Sequence, residues 1–181
     1  MTERLIPIIL LLSIIFIPLN ADKLDDRFDK ELENLTPMQF EVMQDSFNKG
    51  SVFNLSWTMT AIAWQESNFG ENRVGRTTPD YGVYQININT FKKRYSDIIK
   101  KHKHSDKLII KMLKYNDALN FSASVTEVQY WLSVYKGNYY KTWSSYNGGW
   151  KGCTRYADII KKRIKALKKF MAKKHQEYNL C

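Results

Sequence analysis

Residues 55–67, LSWTMTAIAWQES, constrain this chain more than any other stretch. At about 100° per residue, Leu55, Met59 and Ile62 fall on one stripe with Ala63 at its edge, while Trp57 and Trp64 occupy the opposite face. A helix that is apolar nearly all round is stable in water only when other elements surround it, so the segment predicts a central helix. Glu66 projects from the same stripe. A carboxylate in that position loses hydration, which disfavours its charged form and leaves it a proton to donate near neutral pH. The plainer alternative is a glutamate one turn beyond the core, reaching solvent or pairing with a lysine.

The remaining pattern is also helical. Residues 22–50 begin acidic and polar, and Thr36-Pro37 can cap and start a helix over 37–48 that ends at Gly50. Residues 68–80, with Gly70, Gly75 and Pro79, read as an irregular loop, and YGVYQININTF after it as a turn or small β element near 81–88. One or two basic helices follow over 91–115, with Ser105 as a candidate cap. Val125, Val128, Leu132 and Tyr135 have helical spacing that stops near Gly137, and Tyr156, Ile159, Ile160, Ile164, Leu167, Phe170 and Met171 form the stripe of a basic C-terminal helix over 155–175. No repeat or linker separates these pieces, and 181 residues suit one domain with a core of its own. The fold class expected is mainly α, a single domain with a small β element.

The N-terminus bears on location. A short polar lead, the apolar run Leu5–Leu19 and then Asn20-Ala21 have the anatomy of a signal peptide over 1–21, too short for a membrane-spanning helix of roughly 20 residues. The expected mature chain, 22–181, is exported and periplasmic or wall-associated. It keeps the whole formal charge of +10, since Glu3 and Arg4 cancel. An exported Cys153 and Cys181 could form a disulfide, worth about 3 to 4 kcal/mol by loop closure, or remain thiols.

Four short segments share one context. Gln65-Glu66-Ser67-Asn68-Phe69, Asp80-Tyr81-Gly82-Val83-Tyr84-Gln85-Ile86-Asn87, Asn120-Phe121 and Ser145-Tyr146-Asn147-Gly148-Gly149 stand in the order and at spacings compatible with the motifs of the lysozyme-like lytic transglycosylases, which the chain resembles over residues 55–150. The Asp-x-Gly-Val-x-Gln-Ile-Asn form is most similar to small members that accompany bacterial secretion and conjugation machinery. The resemblance implies a lysozyme-like (α+β) fold around a substrate groove. It also implies peptidoglycan glycan strands as partner, cut between N-acetylmuramic acid and N-acetylglucosamine with closure of a 1,6-anhydro ring.

By the same resemblance Glu66 is the catalytic acid, and Ser67, Gly82, Tyr84, Gln85, Asn120, Tyr146 and Asn147 are substrate-binding residues. In this reading Gly82 admits a close approach beside the sugar, Tyr84 stacks on a ring, Asn120 lines the subsite at the cleaved bond, and Tyr146 orients Glu66 through its hydroxyl. Asp80 reads as a loop-fixing residue. Ser124 and Ser145 depart from the family's usual Gly and Ala. A hydrolytic lysozyme or a catalytically silent glycan-binding assembly protein would fit the same residues.

Other features carry less. His102 and His104, two apart, lack the companions of a zinc set, so neither a metal nor a cofactor is expected. The run Lys161–Lys174 reads as the solvated face of an amphipathic helix, with weak attraction to anionic surfaces as its functional alternative. Export argues against nucleic acid as the partner of so basic a chain.

Overall fold

The computed structural model describes residues 21–178. The cleavage expected at the end of the leader 1–21 and the pairing of Cys153 with Cys181 involve residues outside that range. In chain order the elements are α1 (Ala21–Glu33), α2 (Pro37–Ser51), α3 (Ser56–Ser67), β1 (Asp80–Tyr81), β2 (Ile86–Asn87), α4 (Ile88–Arg94), α5 (Ser96–His102), α6 (Asp106–Tyr115), α7 (Asp117–Val134), α8 (Tyr139–Gly148), a turn of 3-10 helix (Gly149–Lys151) and α9 (Thr154–Tyr178). The mainly helical architecture with a small β element is as expected. The two strands pair antiparallel, Asp80 with Asn87 and Tyr81 with Ile86.

Local chemistry sets the helix boundaries. At α2 the Thr36 hydroxyl accepts from the Gln39 N–H at 3.2 Å while the Gln39 side chain accepts from the Thr36 N–H at 2.9 Å, a reciprocal cap followed by Pro37 in the first turn. Asn87, Ser105, Asn116 and Asn138 cap α4, α6, α7 and α8 with their side-chain oxygens. Helix α3 stops where Asn68 turns left-handed, and Phe69 follows with a φ of 55°, folding back to stack on Trp64 with ring centroids 5.9 Å apart.

Helix α3 is central: every residue from Thr58 to Trp64 is buried, with α2 and α9 packed against it. Burying roughly 1.5 to 3 kcal/mol of transfer free energy per large side chain here explains why a nearly all-apolar helix is tolerated.

Two helices lie where the sequence pattern assigns no element. The acidic stretch before Thr36 is helix α1, in which Phe28 and Leu32, one turn apart, are buried. Its outer side is matched to α9. Asp25, Asp29 and Glu33 pair with Lys165, Lys169 and Lys173 at a constant offset of 140 residues, so the two helices run parallel, one ion pair per turn. The α9 lysines named as a candidate anion-attracting face are thus partly neutralised within the fold. Around Tyr146 the chain forms α8, and Asn147 and Gly148 are its last residues.

Candidate active site

Glu66 lies in the last turn of α3, where that central helix reaches a cleft. Its carboxylate accepts a hydrogen bond from the Tyr156 hydroxyl at 2.5 Å, from the first turn of α9. Loss of hydration pushes its pKa up from 4.5 to about 7; the Tyr156 bond works against that rise and the negative charge of Asp80 adds to it. Near neutral pH a large fraction of Glu66 therefore carries a proton, as a general acid requires.

The cleft has two lobes that share Glu66 and Gln85. The larger, about 450 Å³, is walled by α4, α7, α8 and the 3-10 turn; the smaller, about 370 Å³, opens toward Arg76, Arg163 and Glu31. The volumes suit a chain-like polar ligand passing across Glu66.

Other carboxylates border the cleft, but each has partners. Asp80 accepts from Thr78 and, at 2.7 Å, from the Asn87 side chain. Glu127 accepts from Trp131 at 2.8 Å and Arg94 at 3.0 Å. Glu31 accepts from Trp64 at 3.1 Å and pairs with Arg163 and Arg27.

The residues read as substrate-binding separate into two groups. Gln85, Tyr146 and Asn147 line the larger lobe. Gln85 is held there by amide donation to the Gly82 carbonyl at 2.8 Å and the Asn72 carbonyl at 3.1 Å. The Tyr146 hydroxyl, expected on Glu66, turns instead to the Tyr84 carbonyl at 3.0 Å and Ser124 at 2.9 Å, and Tyr156 holds the glutamate.

The second group is buried: Ser67 borders the smaller lobe, and Asn120, Gly82 and Tyr84 lie beneath the cleft. Ser67 receives the Gly70 N–H at 2.8 Å and donates to the Val83 carbonyl at 2.7 Å, so its hydroxyl is used within the loop. Asn120 is fully buried: its oxygen accepts from the Tyr84 N–H and its nitrogen donates to the Tyr81 carbonyl, each at 2.8 Å, which ties α7 to the β element. That role replaces the expected place in a subsite. Gly82 is needed for the same join. At a φ of +85° a Cβ would sit 2.3 Å from the Leu113 carbonyl and 2.4 Å from the Asn120 amide, so the close approach is to protein and not to a ligand. Tyr84 is also inside, its hydroxyl bonded to Ser46 at 2.8 Å and its ring edge-on to Phe121, which leaves no face for stacking on a sugar.

Three features went unseen in the sequence. Tyr156 read as one more apolar position of α9. A tyrosine in a core stripe must find a partner for its hydroxyl, which was the available signal, but nothing in the sequence names Glu66 as that partner. Arg163, buried and stacked 4.0 Å over Trp64, donates to Gln65 at 3.0 Å and so fixes the residue next to Glu66. An aromatic wall of Tyr130, Trp131 and Trp150 lines the larger lobe, with Trp150 72% exposed and edge-on to Trp131 at 4.9 Å.

Comparison with known proteins bears on the family of the chain. Residues 52–169 match the model of the transglycosylase SLT domain. The chain belongs to that family. The matched span runs from just before α3 into α9, so it takes in Glu66 and Tyr156 and leaves out α1 and α2. The SLT chain is also 34% identical over 117 residues to an uncharacterized 20.7 kDa protein from the vs-regB intergenic region of Enterobacteria phage T4; the match spans 63% of each chain. No solved structure matches it.

Within the family pattern, the two departures have found uses. Ser124 bonds the Tyr146 hydroxyl and Ser145 the Tyr135 hydroxyl, each at 2.9 Å, so both replace a silent small residue by a tether between helices.

Proposed function

We propose that this protein is a peptidoglycan lytic transglycosylase with Glu66 as its one acid and base. The observation that carries the reading is that Glu66 is a raised-pKa carboxyl at the junction of two cleft lobes, while Asp80, Glu127 and Glu31 are each engaged by other side chains. A two-carboxylate glycosidase needs a second group free to act as nucleophile or to activate water. Here one group does both jobs in turn. Protonated Glu66 gives its proton to the glycosidic oxygen as the bond from the muramic acid C1 breaks. The resulting carboxylate then takes the proton of the C6 hydroxyl while its oxygen closes on C1, leaving 1,6-anhydro-N-acetylmuramic acid and a regenerated acid. Water is not consumed. Tyr156 holds the carboxyl during the exchange, and Trp150, largely in solvent on the aromatic wall, offers an apolar face to a sugar ring.

Export to the periplasm or cell wall belongs to the same proposal and rests on the apolar run Leu5–Leu19. Local opening of the wall for a secretion or conjugation apparatus rests on the form of the 80–87 motif alone.

Mass spectrometry of purified sacculi after digestion tests the chemistry. Anhydro-muropeptides are expected; reducing muropeptides would make the protein a hydrolase, and no release would make it a binding protein. Glu66→Gln should lower turnover by 10² to 10⁴, the usual worth of a general acid, while glycan binding persists. Loss below about tenfold would assign the chemistry elsewhere.

A further inference from the structure

The positive charge of this protein is unevenly placed and unevenly used. Between Lys92 and Lys114 stand nine lysines and arginines against two aspartates, a surplus of seven out of the whole chain's ten. Lys92 pairs with Asp106, and Arg94 with Glu127. Lys100, Lys101, Lys103, Lys107 and Lys111 are exposed, and among the described residues they form no ion pair. On α9, by contrast, three exposed lysines face carboxylates of α1.

The same lobe keeps large apolar side chains in solvent. Ile98 is 55% exposed, Leu108 42% and Tyr115 66%. They are interleaved with the lysines. Ile98 and Lys101 lie three residues apart on α5, which buries no residue, and Leu108, Lys111 and Tyr115 follow at helical steps on α6, whose Ile109 and Leu113 face the core. A soluble polyanion gives such apolar groups nothing to enter. A lipid surface accepts both, headgroup phosphates taking the lysines and the acyl boundary the side chains between them.

We propose that α5 and α6 form a docking face for an anionic phospholipid bilayer. Helix α4, which supplies Thr90, Phe91, Lys93 and Arg94 to the cleft, packs against both, so a docked bilayer would lie beside the substrate groove and orient its opening.

The test is sedimentation of the full chain with vesicles of phosphatidylcholine containing roughly one-third phosphatidylglycerol, compared with pure phosphatidylcholine. The apolar run Leu5–Leu19 is common to all variants, so the readout is the difference between the two lipids. At about fivefold in affinity per lysine near an anionic surface, Lys101→Glu, Lys107→Glu and Lys111→Glu together should reduce that difference on the order of 100-fold. The single change Lys107→Glu should exceed Lys161→Glu, which alters net charge equally on exposed α9. Ile98→Ser with Leu108→Ser should weaken the anionic binding about tenfold, and wild-type binding should fall as salt rises to about 0.15 M. Indifference to the lysine reversals overturns the proposal. Sensitivity to the lysines with no effect of the two serines overturns it in favour of a soluble polyanion.

Discussion

The two sides of the cleft around Glu66 obey opposite rules. Beneath it, Gly82, Tyr84 and Asn120 are buried, with Ser67 at the edge of the smaller lobe, and the polar atoms of the three side chains are spent on backbone or on Ser46. Along the larger lobe, Tyr130, Trp131 and Trp150 meet the cavity, and Trp150 stands largely in solvent. Of the residues that read as ligand-binding, only Gln85, Tyr146 and Asn147 reach the larger lobe, and its aromatic wall comes from residues without a motif. A polar side chain inside a motif binds whatever lies within about 3 Å of it, and between α7 and the β element that is the protein's own backbone.

The sharpest way to break this contrast is at the floor. Gly82→Ala sets a Cβ against the Leu113 carbonyl and Asn120 at a left-handed φ, and should cost 3 kcal/mol or more, read as a large fall in Tm. Asn120→Ala leaves a buried N–H and carbonyl unpaired, for about 2 to 4 kcal/mol. If either variant kept its Tm but lost affinity for glycan, the floor would be a subsite after all.

Glu66 itself links the two sides, because its raised pKa is a stability statement. The folded state holds the proton more tightly than the unfolded chain, whose carboxyl titrates near 4.5, so this group costs nothing below that pH and costs stability as pH rises through about 7. Glu66→Gln should therefore match wild type near pH 4.5 and exceed it at pH 8 by up to about 3 kcal/mol, measured by denaturant unfolding. Equal stability at both pH values would mean a well-hydrated carboxyl.

The wall should answer in binding and not in folding. Trp150→Ala is expected to raise KM on glycan chains about fivefold, near 1 kcal/mol, with Tm unchanged. A fall in Tm instead would make the wall structural.

The smallest effect sharpens the junction. Tyr156→Phe removes a hydrogen bond that favours the carboxylate, so the alkaline limb of the pH–rate profile should move up from near pH 7, with less than tenfold loss of rate at lower pH. A limb moving down would show that Tyr156 stabilises the protonated form.

Much of this was legible in the chain itself. The Thr36-Pro37 cap, the Ser105 cap, the irregular loop after Ser67 and the all-round apolar α3 follow from local geometry and side-chain reach, which sequence spacing encodes directly. Glu66 in a desolvating position was legible for the same reason. Helix α1 was not, since its supports come from afar: α9 lysines 140 residues away, and Trp64 and Arg163 on Glu31.

What the sequence by itself determined is therefore periodic and local: the helices with a clear apolar stripe or cap, and that one acid sits on such a stripe. What the tertiary structure decided is pairing across distance. It chose Tyr156 over Tyr146 as the partner of Glu66, turned Asn120 and Gly82 into joints, neutralised three lysines of α9 and left those of α5 and α6 bare. A hydrogen bond or ion pair is settled within about 3 to 4 Å, and which residues come that close depends on how the helices pack, a fact that no single segment carries.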